Sequence, residues 1–341
     1  MNIKFYACDL HACGIYRGEL VAREINAQYP NHRMDVKTTI MFSDYAGTNI
    51  MVFQRQNKNI ENINFAKSRG IVTIYEIDDD IWSIPAIFES YGKHCLKPDE
   101  SMAVMRACDA ITVTTPELAD VVRKHIPGKQ VFEIANALDV VVWDAAYVER
   151  LGAPKKDTVT IGWMASQSHL MDVPLVGEVL RDLMAEFSQL RLHFIGWIDM
   201  AAFMGNMLAP FKDRIKCEDW VPVSALADSM KGFDIGLLPL SDHAWNMSKS
   251  ELKYFQYGAL GIASVASPMP CYNRAIEPGA GLIAANNSPA EWYNHLKSLI
   301  ANEELRRGMG ARARQVVSQK HNIKDQVRVW VDTYTRIVNS I

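Results

Sequence analysis

The sequence lacks the cysteine patterns that mark disulfide frameworks and zinc sites. Its six cysteines are scattered along the chain: Cys8, Cys13, Cys95, Cys108, Cys217 and Cys271. None of them forms a CxxC pair or shows the spacing of a metal-binding set. We therefore expect reduced thiols in a cytoplasmic protein.

Long apolar runs, low-complexity tracts and short repeats are also absent from the sequence. No apolar run approaches the roughly 20 residues that a membrane-spanning helix needs. The opening residues, MNIKFYACDL, carry one lysine and turn polar at once, which indicates a first strand rather than a signal peptide. These absences predict a folded chain with no transmembrane segment.

Charge of one sign is not in excess. The chain carries 36 basic and 39 acidic residues, a formal net charge of -3, so nothing global directs it to nucleic acid or to an anionic membrane. A local basic patch is compatible with this balance.

The 341 residues, 49% of them hydrophobic, exceed the size at which a single core keeps growing. Two domains of roughly 150 residues each are therefore expected.

Short apolar segments rich in β-branched residues alternate with amphipathic segments, as in parallel sheets with crossover helices. In the first half the predicted strands are residues 3–8, 50–53, 72–77, 110–113 and 131–134. In the second half they are residues 159–163, 192–196, 235–238, 262–266 and 281–283. Helices are predicted over residues 19–28, 60–68 and 116–125, the last with Thr115 as its cap. The second series of strands implies a second domain.

A turn-rich, charged stretch at residues 136–156 separates the two series and suits a hinge. The predicted domains are therefore residues 1–145 and 146–324, both Rossmann-like. The long helical pattern of residues 303–341 breaks near His321, and we expect its last part, about 325–341, to pack back on the first domain. In such a pair the active site is expected in the cleft, at the carboxyl ends of both sheets.

The segment from Phe233 to Ser267 carries the strongest functional signal. A buried strand ends in proline, a polar loop follows, and a helix is predicted to begin near Lys249 with Ser248 as its N-cap. A helix N-terminus there could bind a diphosphate. Lys249 and Lys253 are four residues apart and would add two cations on one helical face. The alternative is an ordinary solvated helix start.

The stretch SKSELKYFQYGALGIASVAS, residues 248–267, resembles the Lys-x-x-x-Lys-x-x-Glu-Tyr-Met-Ala-x-Gly-x-Pro-Val-Val pattern of GT-B-fold glycosyltransferases. The likeness is greatest to their large retaining family, the group 1 or family four type. Further stretches resemble that family in order and spacing: residues 13–17, 112–118, 134–139, 160–166 and 218–222. The resemblance extends over roughly residues 3 to 320.

This resemblance implies an α/β protein of the GT-B fold, with two Rossmann-like domains facing across a cleft. Residues 1–145 would hold the acceptor, and residues 146–324 would hold a nucleoside diphosphate sugar such as a UDP-sugar. The implied activity is that of a hexosyl- or pentosyltransferase, class EC 2.4, retaining and without an obligatory metal or other cofactor. The acceptor hydroxyl would belong to a glycan, a lipid-linked sugar or modified DNA.

The sequence departs from the family pattern where the sugar and the diphosphate bind. The family has two glutamates eight positions apart, and the aligned residues here are Ser248 and Gln256, with Glu251 as a substitute. The basic pair that grips the diphosphate is also missing, with Trp163 and His169 nearby instead. The remaining donor-binding candidates have several roles. Arg17, Lys249 and Lys253 would balance the phosphate charge, and Ser166 would donate a hydrogen bond. Gly14 belongs to the glycine loop, and Trp220 and Val221 would contact the base.

Three consecutive aspartates follow the strand at residues 72–77. They could hold a metal, cap a turn, or supply an acceptor-binding carboxylate or general base, a role for which Asp79 is favoured. His11 follows the first strand and could contact the acceptor or the developing charge, and His169 follows Ser166. A surface role is the alternative for both histidines.

Three alternative functions stay open. The enzyme could invert the anomeric centre with Asp79 as base, or the chain could be a non-catalytic module that binds nucleotide sugars, as the missing glutamates suggest. It could also glycosylate DNA carrying a hydroxymethylated base. A basic run could form the groove wall in that case, although a solvated helix face explains it equally: Arg306, Arg307, Arg312 and Arg314.

Overall fold

The computed structural model describes residues 1–85, 97–196 and 205–341. Two compact units form. The first unit comprises Met1–Leu138, Met247–Ser250 and Ile323–Ile341, and the second comprises Asp139–Asn246 and Glu251–Asn322. The expected boundary at residue 145 falls inside the first helix of the second unit, Val140–Gly152.

The α-helices of four or more residues in the described chain are, in order, α1 (Leu20–Gln28), α2 (Ile60–Ser68), α3 (Pro98–Ala107), α4 (Pro116–His125), α5 (Val140–Gly152), α6 (Val173–Glu186), α7 (Val223–Met230), α8 (Ala244–Met247), α9 (Leu252–Ala259), α10 (Pro270–Ala275), α11 (Pro289–Ala301), α12 (Glu303–Lys320) and α13 (Ile323–Ser340). A π-helical stretch, Ile15–Glu19, leads into α1. No helix in the described ranges is both long and apolar enough to span a bilayer.

The first unit is built on six parallel strands in the order β2-β1-β3-β4-β5-β6. Their bounds are β1 Asn2–Tyr6, β2 Arg33–Lys37, β3 Ile50–Gln54, β4 Val72–Ile77, β5 Ala110–Val113 and β6 Gln130–Glu133. The five predicted strands are confirmed, and β2 is an additional one. It lies at the sheet edge and alternates charged residues with apolar ones, as exposed edge strands do.

Helix α13 completes the core of the first unit. Trp330, Tyr334 and Ile337 are buried in one cluster with Ile3 and Phe5 of β1. The helical pattern breaks after Lys320, near the predicted position. The last helix therefore buries its apolar face against the sheet that the first residues of the chain begin.

The second unit has its own six parallel strands, in the order β12-β11-β10-β7-β8-β9. Their bounds are β7 Val159–Met164, β8 Leu190–Ile195, β9 Ile215–Glu218, β10 Ile235–Leu238, β11 Ala263–Ala266 and β12 Leu282–Ile283. The five strands predicted here are confirmed, whereas β9 was not predicted. The chain order reverses between β7 and β10, which makes this pair the topological switch point of a Rossmann-like sheet.

Two glycines of α12 make a matched test of how closely this helix packs. A Cβ added to Gly310 would lie 2.0 Å from the carbonyl oxygen of Gly261, whereas a Cβ on Gly308 would meet nothing within 4 Å. We expect Gly310→Ala to lower the free energy of unfolding by about 1–3 kcal/mol, because backbone must move to admit the methyl group. Gly308→Ala should raise it by about 0.5–1 kcal/mol, because alanine favours the helix. Urea unfolding of both variants measures the difference, and a shift in the same direction for both would contradict the packing.

Candidate active site

The switch point of the second unit is where an open α/β sheet binds its ligand, outside the carboxyl ends of the strands. The loops that leave β7 and β10 meet there. A helical turn, Gln167–His169, follows β7, and the segment after β10 runs through Ser241 to helix α8. Polar side chains from both loops converge at this edge.

Asp172 ties the two loops together. Its Oδ2 lies 2.8 Å from Nδ1 of His169, and its Oδ1 accepts hydrogen bonds from the backbone N–H of Ser241 at 2.6 Å and from Nδ2 of Asn246 at 3.0 Å. His169 and Asp172 are 7% and 1% exposed. The carboxylate therefore holds the imidazole in one orientation at the switch point.

Lys253, in the first turn of α9, extends this arrangement. Its Nζ contacts Nε2 of His169. A carboxylate only accepts hydrogen bonds, so the proton of the His169 ring is assigned to Nδ1, and Nε2 accepts from the ammonium. An ammonium has three N–H donors, and Asp172 and His169 thus orient a cation suited to phosphate oxygens. We call this chain of contacts the Asp172–His169–Lys253 relay.

Tyr257 links strands β7 and β10 through two hydrogen bonds of its hydroxyl. Its hydroxyl accepts from the backbone N–H of Met164 at 3.1 Å and donates to the carbonyl of Leu237 at 3.4 Å. Burial raises the pKa of Tyr257, so the phenol stays neutral. A Cβ on Gly162 would lie 2.0 Å from the Phe233 ring. The ends of β7 and β10 are thus held together by close packing with little room for shift.

The other donor candidates of the second unit lie at several places in it. Glu251 directly precedes α9 and Gln256 lies within it, and they are 7% and 2% exposed. Ser166 is exposed after β7, with its hydroxyl 2.6 Å from that of Ser168. Trp220 and Val221 follow β9, and the tryptophan is 56% exposed. Ser166, Trp220 and Val221 therefore follow the carboxyl ends of strands of one parallel sheet.

The predicted start of the helix at Lys249 is wrong, because α9 begins at Leu252. The preceding segment packs in the first unit: the carbonyl of Ser248 accepts from the Thr115 hydroxyl at 3.1 Å, and Asn136 Nδ2 donates to the Ser250 hydroxyl at 2.9 Å. These contacts hold residues 247–250 out of the helix. Ser248 is therefore not its N-cap, and Lys249 does not share a helical face with Lys253.

Arg17 is placed differently from the expectation that it meets a diphosphate. It is 1% exposed, and its Nε donates to Glu76 at 2.7 Å. Its Nη1 donates to the carbonyl of Ile134 at 2.7 Å, and its guanidinium lies 4.3 Å from the centre of the Trp330 ring. The π-helical stretch turns Arg17 into the core of the first unit, where it joins β4 to α13.

The three aspartates after β4 each take a separate partner in the first unit. Asp78 lies 3.5 Å from Arg55, and Asp79 pairs with Lys249 at 2.8 Å. Asp80 accepts from the backbone N–H of Trp82 at 3.0 Å and so caps the turn. No group of three His, Cys, Asp or Glu side chains within residues 1–85, 97–196 and 205–341 is arranged to hold a metal ion. Of the three, Asp79 has its carboxylate held by a lysine at the carboxyl edge of the sheet.

His11 and Gly14 occupy the loop after β1. His11 is exposed, and its backbone N–H donates to Asp9 at 2.8 Å. A Cβ on Gly14 would lie 2.0 Å from the carbonyl oxygen of Asp9, so only glycine permits this tight loop. Arg55, which follows β3, contacts Cys13 of this loop at 3.1 Å.

The sequence patterns did not indicate Arg55, or the residues around Asp172, as site residues. Arg55 carries no pattern signal, since a single arginine after a strand is common. Asp172 did leave one signal, because it lies three residues after His169 on a helical turn, where side chains meet. Ser241 and Asn246 come from a loop that only the sheet order brings beside β7.

Part of the chain matches the model of a known protein family. Residues 177–332 match the model of a family described as glycosyl transferase-like. No curated protein matches the chain.

Solved structures resemble the chain over its whole length. The sucrose-phosphate synthase of Thermosynechococcus elongatus has a TM-score of 0.69 at 12% identity and covers 100% of both chains. HepE of Anabaena, in complex with UDP and glucose, has a TM-score of 0.66 at 9% identity, over 98% of this chain and 99% of that chain. The catalytic domain of starch synthase IV from Arabidopsis thaliana, bound to ADP and acarbose, has a TM-score of 0.65 at 10% identity, over 99% of each chain. These likenesses confirm the GT-B fold, with two Rossmann-like domains.

Proposed function

We propose that this chain is a glycosyltransferase, which transfers a sugar from a nucleoside diphosphate sugar to an acceptor hydroxyl. The GT-B fold and the match of residues 177–332 to a family described as glycosyl transferase-like support this proposal. The observation that carries the donor assignment is the Asp172–His169–Lys253 relay at the switch point of the second unit. Two structural neighbours support a donor of this class, since HepE binds UDP and starch synthase IV binds ADP.

The proposed chemistry is electrostatic. As the bond between the anomeric carbon and the diphosphate oxygen breaks, negative charge develops on the leaving diphosphate. The Lys253 ammonium, preoriented by His169, would stabilise that charge without reorganisation. Buried Gln256 and Glu251 are proposed to contact the sugar, and Trp220 and Val221 the base.

We further propose retention of configuration without an obligatory metal. A phosphate oxygen of the leaving group would take the proton of the acceptor hydroxyl as the new glycosidic bond forms on the same face. A glycan or a lipid-linked sugar is the proposed acceptor, and the scattered cysteines favour a cytoplasmic location.

An inverting reaction is the second candidate, and one observation favours it. The carboxylate of Asp79 lies at the carboxyl edge of the first sheet, and the Lys249 ammonium, 2.8 Å away, holds it in place. Such a group could act as general base. The anomeric configuration of the product, read by proton NMR, separates the two reactions.

A donor panel tests the proposal itself. We expect the full-length protein to release nucleoside diphosphate from at least one of the UDP-, ADP- and GDP-sugars, faster with acceptor than without it. Isothermal titration with the free nucleoside diphosphates checks binding separately from turnover. If no donor is turned over and no nucleoside diphosphate binds, the proposed function is wrong. Binding without turnover would instead indicate a non-catalytic module.

A further inference from the structure

A cavity in the second unit lies at the edge of its sheet where the strands begin. Thr158 and Asp234 line it and directly precede β7 and β10, and Gly261 lines it two residues before β11. These three strands are parallel neighbours, so their amino-terminal ends share this edge. The relay lies at the opposite edge, after β7. A ligand of the cavity would therefore occupy a different place from the proposed sugar donor.

Positive side chains dominate the lining, although the whole chain has a formal net charge of -3. Only two lining residues are acidic, Asp234 and Glu303. Six are basic: Arg150, Lys155, Lys156, Lys231, Arg306 and Arg307. We call this site the basic cavity.

Ion pairs neutralise part of this charge. The Glu303 carboxylate is shared between Lys155 at 2.8 Å and Arg307 at 3.6 Å. The Lys231 ammonium pairs with two carboxylates outside the lining, at 2.7 Å and 3.2 Å: Glu149 and Asp228. Among the lining residues and their ion-pair partners, six basic side chains thus face four acidic ones. The basic cavity keeps an excess of two positive charges.

Repulsion among the cations is visible at Arg150. This guanidinium donates to the carbonyl of Lys231 at 3.0 Å, and its Nη2 lies 4.0 Å from Asp234. Burial lowers the pKa of Arg150; Asp234 opposes this, and the neighbouring Arg306 and Arg307 lower the pKa further. An anion bound in the basic cavity would relieve this repulsion.

Uncharged side chains form much of the remaining lining. Leu151, Ala153 and Pro154 line the cavity where α5 ends, and Ala311 of α12 lines it as well. Tyr147 of α5 adds an aromatic ring. Binding sites for small molecules combine such apolar contacts with a few polar groups that fix the orientation of the ligand. The lining therefore suits a ligand with one anionic group and a small organic body.

We propose that the basic cavity binds a phosphate monoester of a small organic molecule. A phosphate monoester carries about −1.5 to −2 charges at pH 7 and has three strong acceptor oxygens, which matches the excess of two positive charges. The cavity volume is about 170 Å³, below the roughly 300–1,000 Å³ of sites for drug-sized ligands, so the ligand must be compact. A nucleic acid duplex presents its phosphates on a wide convex surface and does not enter such a cavity.

Isothermal titration of the full-length protein with phenyl phosphate tests this proposal. We expect Lys156→Gln/Arg307→Gln to raise the Kd at least about tenfold, because it removes two cations that contact the phosphate. Phenyl sulfate has a similar shape but a single charge and should bind the wild type at least about fivefold more weakly. Inorganic phosphate lacks the apolar body and should also bind at least about fivefold more weakly.

The matched control is Lys212→Gln/Arg328→Gln, which removes one lysine and one arginine at exposed positions outside the basic cavity. It should keep the wild-type Kd for phenyl phosphate, as should Lys253→Ala at the relay. Unchanged thermal unfolding should show that all three variants fold.

Three results would overturn the proposal: no binding of phenyl phosphate at millimolar concentration, equal Kd values for phenyl phosphate and either of the other two anions, or an unchanged Kd in the Lys156→Gln/Arg307→Gln variant. Loss of binding in Lys253→Ala alone would place the phosphate at the relay and would also overturn it. These readouts do not depend on donor turnover.

Discussion

Lys253→Ala is expected to lower kcat/KM for the sugar donor by about 10²–10³-fold, the range seen when one preorganised donor to a developing charge is removed. The reason is that His169 and Asp172 hold the ammonium at the switch point, where the diphosphate is proposed to leave. Steady-state release of nucleoside diphosphate measures the effect. Lys253→Arg keeps the charge and should recover part of the activity.

Two further variants make this test specific. Lys212→Ala removes an exposed lysine of the same unit and should leave kcat/KM unchanged. Asp172→Asn keeps the shape of the side chain but weakens its hold on His169, so a smaller loss than that of Lys253→Ala is expected. If Lys253→Ala retains the kcat/KM of the wild type, Lys253 does not stabilise the leaving group.

Arg17→Ala is expected to lower the free energy of unfolding by about 3–5 kcal/mol, because it strands the Glu76 carboxylate in the core. The two side chains are 1% and 0% exposed and pair at 2.7 Å. Urea unfolding, followed by circular dichroism, measures the loss. Arg23→Ala on α1 is the control, since Arg23 is exposed and pairs with its neighbour Glu24, a surface pair worth at most about 1 kcal/mol.

The loss caused by Arg17→Ala should depend on pH. Burial raises the pKa of Glu76, and Arg17 opposes this rise, so its removal allows a further rise. A carboxyl whose pKa is higher in the folded state binds a proton more readily when folded, and stability then falls as pH rises through that interval. The variant should therefore be less destabilised near pH 5 than near pH 8. An equal loss at both pH values would show that Glu76 is not the stranded group.

Much of the fold was predictable because parallel strands and their crossover helices leave strong local patterns. Helices α2 and α4 have the predicted bounds, and α4 begins with the predicted Thr115 cap, whose hydroxyl accepts from Leu118 at 3.2 Å. Strands β2 and β9 were missed because they are edge strands: their charged residues face solvent and dilute the apolar signal.

The site was less predictable, because its contacts join residues distant in the chain. Lys249 and Lys253 look like one cationic patch in the sequence. In the structure they have different partners, Asp79 and His169, because the contacts of the Ser248 carbonyl and the Ser250 hydroxyl hold these residues out of α9. Helical spacing predicts neighbours only where the helix forms.

Three features of the protein follow from its amino-acid sequence alone, because hydrophobic period and turn residues are local properties: the class of fold, the order of the strands along the chain, and the segment around residues 233–267 as a candidate phosphate-binding site. The three-dimensional arrangement was needed to show that Arg17 is a core residue and that Asp172 orients His169 and Lys253. Burial depends on which strands lie side by side, and sheet order brings together residues that are distant in the chain, such as Arg17 and Ile134, which are 117 positions apart.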